Sequence, residues 1–537
     1  MSGGFRSRAG GTPPTPPTTP APSAAGRPGR RTHRGGRENA TAGPAAHSRR
    51  GAAGSGGAAA TRGRAGNPKN RRFLAPADGP AVDMARRVAV DVLWKVREDG
   101  AFGNLVLPQF LSEAQLSGRD AAFATEITYG SLRTMGICDA IIDAASDRPV
   151  GRLDGVVLDC LRLGVYQLLF TKVESHAAVD TTVRLAGLLA GGRVTGFVNA
   201  VMRRISRTPA SVWLDTLAPS DPLARAAWMT GHPGWIAESF AAALAAGPED
   251  PRPRPADGKL PADLNEALAA DSSRPGIHLV ARPGELTQEE LCALTGAAPA
   301  RFSPYGAYLD SGNPADFDCV RQGLAAVQDE GSQLIARALT EVPVDGPDGG
   351  RWLDLCAGPG GKAALIGGIA AIAGARLDAV ELAPHRAELI RKTVRDMPVT
   401  VITADGTNPP LEPGYDRILV DAPCSGLGAL RRRPEARWVK RESAIAELTE
   451  LQQALLESAV GLLRPGGVII YSTCSPDIRE TRGVVDAVAG SHDNLVELPA
   501  GSYFCGMRDT GGFASVQMWP HRHGTDAMFA AVLKKTI

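Results

Sequence analysis

Leu353-Asp354-Leu355-Cys356-Ala357-Gly358-Pro359-Gly360-Gly361-Lys362 decides the fold of this 537-residue chain. An apolar run at 351–355 enters a glycine-rich turn and leaves it into a run of helical character. That is a strand, a close backbone turn and a helix start with unpaired N–H groups, the opening unit of a parallel sheet that holds a nucleoside-type cofactor. It is not a phosphate-binding P-loop. The four-residue gap before Gly-Lys is missing, and Ala363 stands where Ser or Thr would hold magnesium.

Working downstream, strand, turn and helix repeat. Strands are expected at 351–355, 376–380, 399–403, 417–420 and 468–472, with a long amphipathic helix at 442–463 that stops at Arg464-Pro465-Gly466-Gly467. Runs at 514–518 and 528–533 should complete the sheet as an antiparallel hairpin. Glu381 ends the second strand, Asp405 follows the third and Asp421 ends the fourth, so the three acids line one crevice. Glu381 suits ribose hydroxyls and Asp405 suits an amine, although each alone reads equally well as a helix cap or surface acid.

Upstream, apolar residues at helical spacing, such as Val88, Val92, Val96 and Val157, Leu161, Val165, Leu168, predict an all-helical domain over 83–207. Its last helix ends on Arg203-Arg204, which either complements the helix dipole or faces RNA. Residues 208–340 read as a linking module: helices, a Pro/Asp-rich joint at 248–261, a small strand-containing part between 276 and 310, and helix again over 317–340. The sheet domain proper is placed at 341–537.

Residues 1–82 differ in kind. Their Pro, Gly, Ala, Ser, Thr and Arg composition cannot recover the entropy of ordering, so a disordered tail is expected. Fourteen Lys and Arg oppose only Glu38 and Asp78 in the first 80 residues, a charge of +12, which leaves −10 on the rest of a chain whose total is +2. The tail is either a sequence-independent grip on polyphosphate or a solvated extension. The longest nearly apolar run, 363–375, falls short of the roughly 18–20 residues that span a bilayer. No membrane partner is expected. Eight cysteines without a Cys-x-x-Cys pair suggest reduced thiols in the cytoplasm rather than a disulfide framework or zinc cluster, and no metal is called for. His521 and His523, with Cys505 upstream, read as exposed or RNA-facing side chains in preference to a metal site.

Two cysteines carry the chemistry: Cys424 in Asp421-Ala422-Pro423-Cys424-Ser425-Gly426, and Cys474 in Ser472-Thr473-Cys474-Ser475. Carbon 5 of cytosine accepts a methyl group only after a nucleophile adds at carbon 6, and thiolate suits that addition. A second cysteine can assist release. Alone, a cysteine at a strand end is more often a small buried hydrophobe.

These motifs, with Arg431-Arg432-Arg433-Pro434, resemble the RsmB/Sun/Fmu-type 16S ribosomal RNA (cytosine-5)-methyltransferases. Val179-Asp180 and Phe197-Val198-Asn199 resemble the NusB-like RNA-binding module that this type carries at its amino end. The resemblance implies a multidomain chain, an all-α NusB-like domain, a small linking module and an α/β class I (Rossmann-like) methyltransferase domain, with S-adenosyl-L-methionine as cofactor. It implies Cys474 as nucleophile, Cys424 in elimination, and Asp421 on the base. Cofactor contacts fall to Cys356, Ala357, Gly358, Pro359, Gly360, Gly361, Lys362, Glu381, Asp405 and Asp421. The implied partner is 16S ribosomal RNA or a small-subunit assembly intermediate, met by a monomer. The same chemistry fits a tRNA cytosine-5 methyltransferase, and a vestigial antitermination-like RNA-binding protein is the non-enzyme alternative. Gly358, Ala363 and Glu381 depart from the family's usual Ala, Thr and Asp, and 478–481 from a Pro-Glu-Glu-Asn-like run, which puts the support of the Cys474 loop in question.

Overall fold

The computed structural model describes residues 83–251 and 260–536. The tail expected at 1–82 lies outside the described residues, as does most of the joint. All described residues belong to one compact unit.

The first helix, Met84–Asp99, starts where Asp83 accepts from the Arg86 amide at 2.9 Å and stops at left-handed Gly100. Its Val88, Val92 and Val96 are buried, as the spacing requires. The central helix, Gly155–Phe170, is capped by Asp154 and buries Val157, Leu161 and Val165. Seven helices to Ser206 share this core, and three more, Ala210–Leu217, Pro222–Thr230 and Gly234–Ala245, extend the helical region.

Next comes a four-stranded antiparallel sheet of β1 (Ile277–Ala281), β2 (Ala298–Pro299), β3 (Gly306–Leu309) and β4 (Ala325–Val327), in the order β2-β3-β1-β4. Strand β4 corrects the helix expected over 317–340. The helix Asp318–Arg321 ends before Gly323 at φ +77°, Ala325 to Val327 pair with β1, and helix resumes at Glu330–Glu341. Ala-Ala-Val is neutral between states, and the open edge of β1 decides it.

The large sheet holds β5 (Arg351–Asp354), β6 (Arg376–Glu381), β7 (Val399–Thr403), β8 (Tyr415–Asp421), β9 (Leu463–Thr473), β10 (Leu495–Leu498), β11 (Val516–Gln517) and β12 (Phe529–Lys535). Its order is β10-β12-β9-β8-β5-β6-β7, with β11 on β12, and β7 through β9 run parallel. All five strands expected in the parallel part are present, and the long helix is Ala444–Leu462. The expected antiparallel pairing of the last two runs is present, β11 on β12, and β12 also lies between β9 and β10, antiparallel to both. Strand β10 was not anticipated, because four residues with only Leu495 buried leave no period to read.

Strand order reverses direction between β5 and β8, so a crevice opens at the carboxyl ends of these strands. Linking helices close over the far end: Ala227, Phe240 and Leu268 share a core with Leu427, Leu430 and Trp519. Arg437, fully buried, donates to the carbonyls of Gly231 (3.0 Å) and Asp271 (3.2 Å), and the Trp438 indole donates to the Leu132 carbonyl at 2.8 Å. The segment after the Cys424 loop is thus wedged into the helical region.

Candidate active site

Strands β8 and β9 are neighbours in register, Asp421 opposite Ser472, so the loops that follow them emerge side by side. This brings Cys424 Sγ and Cys474 Sγ to 3.4 Å. Both are half-buried. At that separation one thiol can donate to the other but both cannot ionise. The Cys424 S–H···S contact holds Cys474 below the ordinary thiol range, against burial and the Asp421 charge and with help from Lys362. The same contact, with burial, pushes Cys424 well up. Within the pair, Cys474 is thus the thiol that ionises more readily and Cys424 the one that donates.

Lys362 leaves the glycine turn and reaches this pair. Its ammonium donates to Asp421 Oδ2 at 2.8 Å and Ser332 Oγ at 2.6 Å. Burial alone would lower its pKa, but Asp421 more than offsets that, so it stays charged. Asp421 Oδ1 accepts from Ser472 Oγ at 2.9 Å. Of the residues expected on the cofactor, Lys362 and Asp421 thus sit on the thiol side of the crevice.

The turn itself fits a ligand drawn close to backbone. A Cβ on Gly358 would lie 2.1 Å from Glu381 Oε2, and Gly360, at φ +113°, leads into the helix Gly361–Ala373. Ala357 is buried, Pro359 is exposed, and burial pushes the Cys356 thiol well up, so Cys356 contributes backbone and not a nucleophile. Glu381 ends β6 almost fully buried, accepting from the Ala383 amide at 2.8 Å and paired with Arg386. Asp405, on the same edge, is exposed, and Thr407 amide and hydroxyl bonds at 2.9 and 2.8 Å hold its carboxyl low. The rim thus presents carboxylates for hydroxyls and an amine, and these residues fit S-adenosylmethionine. Glu381→Ala should weaken its binding by roughly 1–3 kcal/mol through unpaired ribose hydroxyls. Unchanged calorimetric affinity would reject that assignment.

Several working residues were not picked out from the sequence. Buried Glu480 accepts from the Ser425 amide at 2.7 Å, from the Ser425 hydroxyl and from Gln452 Nε2 at 3.1 Å, while Gln452 also donates to the Pro423 carbonyl at 2.9 Å. Glu480 lies in the 478–481 run whose support of the Cys474 loop was in question, and it clamps the Cys424 loop instead. Asp354, at the end of β5, is fully buried with both side-chain oxygens lacking a hydrogen-bond partner. Burial first, then Asp421 and Glu381, push its carboxyl up to about 7, with Lys362 opposing. The unfolded chain, with Asp354 near 3.8, binds fewer protons between 3.8 and about 7, so this group's contribution to stability falls as pH rises through that window. Asp354→Asn should gain on the native chain in urea unfolding over that range. A stability difference independent of pH would contradict this.

Arg431 and Arg432, in the basic run that carries part of the family resemblance, are paired within the chain. Arg431 Nε meets Asp526 Oδ1 at 2.6 Å, and Arg432 meets Asp526 Oδ2 at 2.7 Å and Asp329 Oδ1 at 2.8 Å. Arg433 lies over the Phe102 ring at 4.7 Å. His521 and His523 are not exposed: His521 pairs with Asp263 at 2.9 Å, and His523 is buried between the Trp519 amide and the Arg508 carbonyl. These histidines tie the linking helices and end strands together.

A family described as 16S rRNA methyltransferase RsmB/F matches residues 343–534, and the NusB family matches residues 83–207. A protein of Mycobacterium tuberculosis (strain H37Rv), whose name, methyltransferase Rv1407, gives no substrate, is 49% identical over 457 residues, 84% of this chain and 97% of that protein. The ribosomal RNA small subunit methyltransferase B of Vibrio cholerae is 31% identical over 414 residues, 75% of this chain and 88% of its own. The crystal structure of PH0851 superposes with a TM-score of 0.69 at 20% identity, covering 86% of this chain and all of its own, which is a likeness of fold. With its thiol pair at the carboxyl ends of β8 and β9 and both family matches in chain order, the chain belongs to the RsmB/F family of S-adenosylmethionine-dependent RNA cytosine-5 methyltransferases that carry an N-terminal NusB domain.

Proposed function

We propose that this chain methylates carbon 5 of a cytosine in 16S ribosomal RNA through a covalent cysteine adduct, acting as a cytoplasmic monomer on the RNA or a small-subunit assembly intermediate. The observation that carries the chemistry is the 3.4 Å approach of Cys424 and Cys474 beside Lys362 and Asp421. Cys474 Sγ adds to carbon 6, which moves electron density to carbon 5. The bound cofactor supplies an electrophilic methyl group, and residues 356–362 with Glu381 and Asp405 would hold it. Asp421 accepts from the amino group of the base, and from N3 once that nitrogen is protonated. Cys424, after giving its own proton to solvent, takes the carbon 5 proton, the ring electrons return to the carbon 5–carbon 6 bond, and Cys474 leaves as thiolate. The target must leave any base stack to reach the crevice, at a cost of about a few kcal/mol.

The choice of 16S RNA is supported by the description of the matched family and the name of the Vibrio cholerae relative. The division at 1–82, 83–207, 208–340 and 341–537 is the accompanying domain proposal, supported by the helical core that closes at Ile205. Bisulfite sequencing of total RNA from a deletion strain tests the substrate. One 16S cytosine should lose protection and regain it with the native gene but not with Cys474→Ala. Loss at a tRNA cytosine would replace 16S with the tRNA reading, and no loss anywhere would favour a vestigial domain.

A further inference from the structure

Apart from the thiol pair, one cavity of about 310 Å³ lies where the helical region, the linking segment and the chain after the Cys424 loop meet. Tyr129 and Arg133 reach it from the helix Gly118–Arg133, Arg274 from the turn after Leu264–Asp271, Val327 from the end of β4, and Arg431 and Arg432 from the wedge. Its charge is lopsided. Arg431 and Arg432 are neutralised by Asp526 and Asp329. The one acid in the wall, Glu126, already accepts from the Tyr166 hydroxyl at 2.6 Å.

Arg133 and Arg274 have no ion-pair partner among the described residues, and Arg133 Nε is buried without a hydrogen bond. Asn104 Oδ1, in the same wall, is also buried and unpartnered. A guanidinium with a buried, unpaired N–H and no acid within ion-pair distance, Glu126 and Asp271 acting on it only from further off, lies beside an idle amide oxygen, and a group that supplies both an anion and a donor would satisfy the two. A nucleotide supplies both, as a phosphodiester and as base N–H groups, and Tyr129 offers a ring against which a base can lie.

A chain of contacts links the cavity wall to the catalytic side. The wall's Arg432 holds Asp329, which caps the helix Glu330–Glu341, and that helix's Ser332 meets the Lys362 ammonium. We propose that the cavity is a subsite for a nucleotide flanking the target cytosine in the RNA strand, its phosphate held by Arg133 and Arg274 and its base by Tyr129 and Asn104. This deepens the reading of the chain as an enzyme acting on an RNA strand.

The test uses the full chain and a labelled single-stranded RNA of about 12 nucleotides, bound across a salt series. Arg274 is exposed, so Arg274→Glu should fold normally. It should weaken binding about tenfold and lower the slope of log affinity against log salt by about 0.7, the share of one phosphate on a single strand. S-adenosylmethionine affinity should not change. Arg133→Met, checked for a native melting transition, should act in the same direction. If Arg274→Glu binds with native affinity and slope, or weakens binding with the slope intact, the phosphate subsite is overturned. Oligonucleotide binding needs no methyl transfer, so failure of the 16S assignment in the deletion strain would leave this result readable.

Discussion

Cys474→Ala should abolish both methylation and any covalent protein–RNA complex, whereas Cys424→Ala should leave the protein trapped on its RNA as a slow-migrating band on a denaturing gel. The 3.4 Å thiol contact is the reason the two changes differ. Removing the nucleophile should cost on the order of 10⁴-fold or more in turnover. Removing Cys424 leaves the attacking thiol in place but takes away help in release. It also takes away the S–H donor that holds Cys474 low, so adduct formation in Cys424→Ala should move to higher pH than single-turnover attack by the native enzyme. A band that forms with Cys474→Ala and vanishes with Cys424→Ala would reverse the roles.

Glu480→Ala should be nearly as damaging, by a different route. It strips the acceptor from the Ser425 amide, the Ser425 hydroxyl and the Gln452 side chain, all in a buried site. Buried donors left unmade cost roughly 1–3 kcal/mol each, so a destabilisation of about 3–5 kcal/mol is expected. The Cys424 loop would lose its anchor while Cys474 keeps its place just past the end of β9. Surviving protein at low temperature should therefore accumulate the covalent adduct as Cys424→Ala does, and Glu480→Gln, which keeps one acceptor oxygen, should recover part of both stability and release. Native melting and turnover in Glu480→Ala would remove Glu480 from this role.

The parallel sheet was legible because each strand is an apolar run closed by glycine, proline or an acid, and the cysteine motifs sit where two of those runs end. Strands β4 and β10 were not, since Ala-Ala-Val and Leu-Val-Glu-Leu become strands through the edges they meet. Site residues inside a motif, such as Cys474 and Asp421, could be read directly. Glu480 could not be assigned to the Cys424 loop, because only the fold brings residue 480 to residue 425. The partners of the arginines after Cys424 were hidden for the same reason, since Asp329 and Asp526 are distant in sequence. A buried acid such as Asp354 carried a signal, a charge inside an apolar strand run, that pointed to special surroundings without naming them.

Strand β12 has a consequence for how the enzyme comes into being. Residues 529–535 fill the gap between β9 and β10, and their register runs from Thr473, the residue before the nucleophile, back to Val468. During synthesis from the amino end, the helices through Ser206 can close their own core early. The strand that presents Cys474 keeps an open edge until residue 535 has left the ribosome. A nascent chain can therefore hold a folded amino-terminal helical region long before it holds a working thiol pair, and the emergence of residues 529–535 is the step that closes the sheet beside Cys474.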